Sequence, residues 1–158
     1  MNILGIDPSS KTVALAWLSD ELGLITQKHE VKRTTRWREA QALAGMFTNL
    51  SPRYWTAQTI YIEEPVVAGP RNLRSTILIA ETVGMLLGVT RSPCVLVPVT
   101  SWKKGTTGHG NSTKDEVADW LKEVHPSYSA QCDGDQDLID ATCIALYGRD
   151  VSGAVVNV

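Results

Sequence analysis

The sequence predicts an α/β fold, a mixed five-stranded sheet flanked by helices, and three observations carry that expectation. Three short apolar segments, NILGID, TVALAWL and GLITQKHEV, open the chain at hairpin-like separations, which suggests three consecutive antiparallel strands. Two further β-branched runs, TIYIEEP and CVLVPV, come later, each preceded by a stretch of helical spacing. The resulting order, βββαβαβαα, is that of a sheet covered by helices, with right-handed connections where parallel strands are joined.

Each element has its own signal. NILGID ends at Asp7, where a Pro-Ser-Ser turn begins. Thr35–Leu50 places Trp37, Ala40, Ala44 and Phe47 on one helical face. TIYIEEP is stopped by Pro65, which makes it the fourth strand. Asn72–Val89 is a long, mostly apolar helix, and CVLVPV is the fifth strand. Ser112–Val124 opens with S-T-K-D-E, an N-cap signal, and turns Val117, Trp120, Leu121 and Val124 inward. Asp137–Tyr147 is expected to form the final helix.

The chain has 158 residues, 43% of them hydrophobic and 20% charged, enough to bury one sizeable core. With no internal repeat or long Gly/Ser/Pro linker, residues 1–158 read as one domain. The opening MNILGIDPSS lacks a basic stretch before its apolar run and reads as a strand rather than a signal peptide. No apolar run approaches the roughly 18 residues a membrane span requires. Cys94, Cys132 and Cys143 form no CxxC pair, which fits a reducing, cytoplasmic setting better than a disulfide framework.

The net charge of −2 argues by itself against nucleic-acid binding, but the charges are segregated. Lys28, Lys32, Arg33, Arg36 and Arg38 face only Glu30 and Glu39 between positions 28 and 39. Arg71, Arg74, Arg91, Lys103, Lys104 and Lys114 are accompanied by Glu81 alone between 71 and 114. The acids gather in Asp115–Glu123 and Asp133–Asp140. Both a basic face and ordinary solvated surface charge fit this pattern.

Four carboxylates stand out by position. Asp7 closes the first strand, Glu63 lies near the end of the fourth with Glu64 beside it, and Asp137 and Asp140 share a face of the last helix. An acid in or beside a buried apolar element is costly unless something compensates its charge. Mg²⁺ or Mn²⁺ would do so with hard oxygen ligands. Two ions roughly 4 Å apart at this sheet edge would activate water and stabilise the leaving oxygen of a phosphodiester. Taken singly, each acid also reads as a turn cap or as decoration of a helix N-terminus. Two other patterns fail. The D-x-D-x-D of Asp133–Asp137 has Leu138 and Ile144 where a calcium loop needs Gly and Glu, and KKGTTGHGNSTK does not meet the P-loop pattern.

These residues resemble the RuvC-type Holliday junction resolvases, of bacterial or phage type, over most of the chain. GIDPSS matches the family's first-strand motif with Asp7, YIEEP its fourth-strand motif with Glu63, and DQDLIDATCIALYG its D-x-x-D-A helix with Asp137 and Asp140. SWKKGTTGHGNSTKDEV is similar to its Lys-rich, Gly-containing loop leading into a helix, with Lys103 and Lys114 at the matching places. The resemblance implies a ribonuclease H-like fold, a homodimer, and paired symmetric nicks in four-way DNA junctions. It implies a catalytic set of Asp7, Glu63, Asp137, Asp140 and Lys114, the four acids holding two Mg²⁺ ions per site, with Mn²⁺ able to substitute. Lys103, Lys104, Lys114, Arg71 and Arg74 are the candidate DNA contacts, and no membrane is involved. The family sometimes carries His in place of Asp137, and many of its members are more basic than this chain. Glu64 and His109 have no assigned role.

Two alternatives remain open: a nuclease of the same fold acting on flaps, replication forks or other branched nucleic acid, and a non-catalytic DNA-binding module. For Asn72–Val89 the apolar surface exceeds the single stripe that one sheet contact needs. That excess points to a two-fold dimer contact, with Leu86 expected on the outer face; the alternative is a helix buried all round in a monomer.

Overall fold

The structure, a computed structural model, describes residues 1–31, 38, 41, 42, 45, 57–66 and 73–155. Its sheet is built from β1 (Asn2–Pro8), β2 (Thr12–Ser19), β3 (Gly23–Glu30), β4 (Thr59–Glu63) and β5 (Cys94–Val97). The helices are α1 (Leu73–Val89), α2 (Val99–Thr107), α3 (Lys114–Val124), α4 (Pro126–Cys132) and α5 (Gln136–Val155). The strands lie in the order β3-β2-β1-β4-β5. β1 pairs antiparallel with β2, and β2 with β3, whereas β4 runs parallel to both β1 and β5. The expected mixed five-stranded sheet is therefore present.

Alternation along the strands sorts the core into two layers. Leu4, Ile6, Val13, Leu15, Trp17, Ile60 and Ile62 pack with Val83 and Leu86 of α1 on one face. Ile3, Ala14, Ala16, Leu18 and Tyr61 pack with α2 to α5 on the other. The closest approach is at Gly5, where an added Cβ would lie 2.3 Å from the Ala141 carbonyl oxygen and 2.5 Å from the Ala145 nitrogen. Only glycine lets α5 seat this deeply on β1. From Gly5, one pleat along β1 advances about 7 Å and reaches Asp7. Four residues back along α5 from Ala141 cover about 6 Å and reach Asp137. The two steps nearly match, so the contact at Gly5 carries the acids of strand and helix to the same level.

Three expectations need correction. Residues 99–107 form a helix rather than an open loop. The pattern hid it because Trp102 is its one fully buried side chain and Gly105 disfavours an isolated helix. Gly105 is needed there, since a Cβ would meet the Tyr147 ring at 2.5 Å. The final helix runs on to Val155, where the Tyr61 hydroxyl, 2.8 Å from Ser152 Oγ, ties its second half to β4. Leu86 is fully buried, whereas Leu87 is 42% exposed, because the sheet takes the Leu86 side of α1. The short α4 was not expected; Pro126 occupies its first turn. The helix expected over Thr35–Leu50 lies almost entirely outside the described residues, of which Arg38, Gln41, Ala42 and Gly45 are helical. Among the described residues no helix is long and apolar enough to cross a membrane.

Candidate functional site

The sheet register builds the site. β1 and β4 are in parallel register to Ile6 opposite Ile62, and the next residue on each strand is an acid, Asp7 and Glu63. Across the other side of β1, Asp7 pairs with Ala14, and Ala14 pairs with Lys28. Lys28, Ala14, Asp7 and Glu63 thus form one row across the sheet on the face that α5 covers. Above the row, the N-terminal turns of α5 bring Asp137 and Asp140.

Asp7 is the most strained of these groups electrostatically. Burial holds its carboxyl well above the usual aspartate range, and the charges of Glu63, Asp140 and Asp137 push the same way, opposed by Lys114. Its carboxylate receives no hydrogen bond from the described residues. Burial also raises Glu63 and Asp140. Each of these two is tied at one oxygen. The Trp102 indole N–H donates to Glu63 Oε2 at 2.8 Å, and the Gln136 amide donates to Asp140 Oδ1 at 2.8 Å. Asp137 Oδ2 accepts from the Thr12 hydroxyl at 2.9 Å and lies 2.8 Å from the Lys28 ammonium. Thr12 in turn is 2.7 Å from the Ser9 hydroxyl in the turn after β1.

The candidate cations are distributed unevenly. Lys114 is the first residue of α3, whose N-terminus is closed by a capping box between Thr113 and Glu116. Its positive charge acts on Asp7, Glu63 and Asp140. Lys103 acts on Glu63 and Asp140 and donates to the Ser112 carbonyl oxygen at 2.6 Å, so it also pins the 108–113 turn. Lys104 and Arg74 are exposed. Arg71 lies outside the described residues. Glu64 and His109 are exposed and stand apart from the row.

Sequence reasoning missed Trp102, Gln136, Thr12 and Lys28. Gln136 was within reach of it, since it stands four residues before Asp140 on one helical face. Trp102 gave a weaker sign as a large aromatic with an N–H to satisfy beside a lysine pair. Thr12 and Lys28 gave none, because their nearness to Asp137 depends on strand register.

Chemically, the set is four carboxylates with two lysines nearby, a donor set suited to a hard divalent cation. Asp7 is desolvated and receives no hydrogen bond from the described residues, and an ion would neutralise it. Glu63 and Asp140 each keep one oxygen that receives no hydrogen bond from the described residues. Among the described residues, no three acids as they stand are grouped closely enough to hold an ion between them. The Asp137 oxygen bound to Lys28 and Thr12 is one that an ion would have to win.

No protein-family profile and no curated protein matches the chain. Solved structures do. The Thermus thermophilus RuvC structure aligns with a TM-score of 0.71 at 18% identity, over 98% of this chain and 97% of that one. T. thermophilus RuvC in complex with a Holliday junction substrate aligns with a TM-score of 0.76 at 18% identity, over 98% and 96%. The Fowlpox virus resolvase bound to its substrate Holliday junction DNA gives 0.52 at 12% identity, over 99% and 100%. At these identities the likeness speaks for the fold, and the chain has the ribonuclease H-like fold of RuvC.

Proposed function

We infer that the chain is a divalent-metal-dependent endonuclease that resolves four-way DNA junctions by paired, symmetric hydrolysis of phosphodiesters. The observation that carries this reading is that Glu63, on the strand parallel to β1, and Asp137 and Asp140 of α5 all act electrostatically on the buried Asp7 carboxyl. The four acids would hold two Mg²⁺ ions, or Mn²⁺ in their place. When bound, the ions would activate a water and stabilise the leaving oxygen. The chain's own part is to fix the acids and to receive the phosphate. Lys114 stands at a helix N-terminus, where backbone N–H groups also favour an anion, and its charge already reaches three of the acids. Lys103, Lys104, Arg71 and Arg74 would contact the backbone of the arms. Such contacts position DNA without reading its sequence. The reading is supported by structural neighbours bound to Holliday junctions. Comparing cleavage of four-way junctions, flaps, forks and linear duplexes, with Mg²⁺ and with EDTA, tests it. Equal cleavage of all branched substrates would favour the broader same-fold nuclease.

Trp102 fixes one oxygen of Glu63, so Trp102→Phe should reduce junction cleavage about tenfold or more, the usual cost of losing a hydrogen bond that orients a metal ligand. Single-turnover kinetics at saturating Mg²⁺ check this, and an unchanged rate would make the indole a packing residue only.

Paired nicks call for two copies of the site, and α1 carries a surface suited to that. Leu73, Ile77, Ala80, Gly84 and Leu87 are all exposed and follow the alternating four- and three-residue spacing of a helix–helix seam. Ala80 and Gly84 at its centre would let two backbones approach closely. A homodimer packed through this stripe is the arrangement we infer. Leu87→Glu should therefore yield monomers at tens of micromolar by light scattering and uncouple the two nicks, leaving the thermal midpoint of each chain nearly unchanged. Leu86→Glu would instead place a charge in the core and unfold the protein.

A further inference from the structure

Lys28 belongs to the edge strand β3, far in sequence from the acids, yet the register sets it in their row. It pairs with Ala14, and Ala14 pairs with Asp7. At about 4.8 Å per strand its Cα lies roughly 10 Å from that of Asp7. The small side chain of Ala14 between them leaves the space over the row open to α5. Into that space Lys28 extends its ammonium, 2.7 Å from Asp135 Oδ2 and 3.0 Å from Asp135 Oδ1. The same ammonium lies 2.8 Å from Asp137 Oδ2. One monovalent cation thus bridges two carboxylates at the start of the last helix, and one of the two is a member of the four-acid set.

The two contacts differ in what else the carboxylates do. Asp135 Oδ1 caps α5, accepting from the backbone N–H of Asp137 at 3.0 Å and of Leu138 at 3.2 Å. Its place is held by the helix whether or not a metal is present. Asp137 has no such backbone duty in its side chain. Its bonded oxygen is shared between Lys28 and the Thr12 hydroxyl. An ammonium and a divalent ion cannot share that oxygen without strong mutual repulsion.

We propose that Lys28 is a built-in counter-cation for Asp137, holding that carboxylate while the site is free of metal and giving it up when a divalent ion enters. This rests on the reading of the four acids as a metal site. Displacement does not set the ammonium adrift, because Asp135 keeps it at the end of α5. Lys28 thereby sets how much metal the site demands before Asp137 joins it. It is a positioning residue with a sign opposite to that of an ordinary support. A group that merely orients a ligand strengthens metal binding, whereas a resident cation competes with it.

Calorimetric titration with Mn²⁺ alone, without DNA, tests the sign. Lys28→Met keeps the length of the stem and removes the charge. It should bind Mn²⁺ roughly three- to tenfold more tightly than the native chain, in line with the loss of a partly exposed ion pair and of one repelling charge. Equal or weaker binding by Lys28→Met would overturn the proposal while leaving the metal site standing. Absence of Mn²⁺ binding in both proteins would overturn the metal-site reading and the proposal with it. A second measurement uses the native chain and is independent of how the variant folds. Acetylation of Lys28 by an N-hydroxysuccinimide ester, followed by mass spectrometry, should become several-fold faster when Mn²⁺ is saturating. The exposed Lys122 on α3 serves as the internal reference. An unchanged ratio of Lys28 to Lys122 modification would overturn the displacement.

Discussion

Gly5→Ala should cost about 3 kcal/mol or more of stability and lower junction cleavage by roughly a hundredfold in whatever fraction stays folded. The added methyl would sit 2.3 Å from the Ala141 carbonyl oxygen, 2.5 Å from the Ala145 nitrogen and 2.9 Å from the Ala145 Cβ. Two of these are backbone atoms, so no rotamer change relieves the clash, and α5 must move away from β1 by about an ångström to restore normal contact. That movement opens the larger core layer. It also lifts Asp137 and Asp140 away from Asp7, which follows Gly5 on the same face of β1. A misplacement of about 1 Å is enough to cost roughly two orders of magnitude in rate. Gly153→Ala is the control, since its Cβ would meet nothing within 4 Å on the same helix. It should be neutral or slightly stabilising. Urea midpoints for the two variants decide the matter, and a Gly5→Ala protein as stable and as active as the native chain would contradict the packing described.

Asp7→Asn should abolish cleavage, by about a thousandfold or more, while leaving junction binding largely intact and making the metal-free protein more stable. The amide keeps the shape of the carboxylate but not its charge, so it no longer serves as a ligand. The stability half follows from linkage. Burial first, and then the neighbouring acids, hold the Asp7 carboxyl above its usual range. Its pKa is therefore higher folded than unfolded, and the folded chain binds the proton more tightly. That contribution is fully present below the unfolded value and is lost as pH rises through the raised folded value. Glu63 and Asp140 shift in the same direction. In EDTA the native chain should lose thermal stability as pH rises above the ordinary carboxylate range, and Asp7→Asn should lose less. At pH 7.5 the variant should melt a few degrees higher, on a scale of roughly 2–4 °C per kcal/mol for a chain of this size. Saturating Mg²⁺ should narrow that gap, because an ion that binds only the folded state stabilises the native chain. Cleavage near the native rate, or a lower melting point in EDTA, would count against Asp7 as the desolvated centre of the site.

Local sequence carried much of this protein's plan. Period-two alternation in NILGID and TVALAWL reports which face of each strand is buried. Turn chemistry after Asp7 and Pro65 after Glu64 end β1 and β4 near the acids, and the Thr113–Glu116 capping box starts α3 one residue before Lys114's neighbour Asp115. The three-residue spacing of Asp137 and Asp140 puts both on one side of α5. These are short-range effects, set by dihedral preferences and side-chain periodicity, and a string of residues displays them directly. Register and helix depth are different in kind. Nothing near Lys28 announces that it pairs with Ala14 in the row of Asp7, because cross-strand hydrogen bonds choose that partner. Gly105 argued against a helix over 99–107 until the Tyr147 ring, from a helix some forty residues on, supplied the reason for it. Which side of α1 meets the sheet separated Leu86 from Leu87, neighbours that hydrophobicity alone cannot distinguish. Asp7 was recognisable as an acid in an apolar strand. That it would stand desolvated while Trp102, Gln136 and Lys28 each held one of its fellow acids was decided only when α5 seated on Gly5.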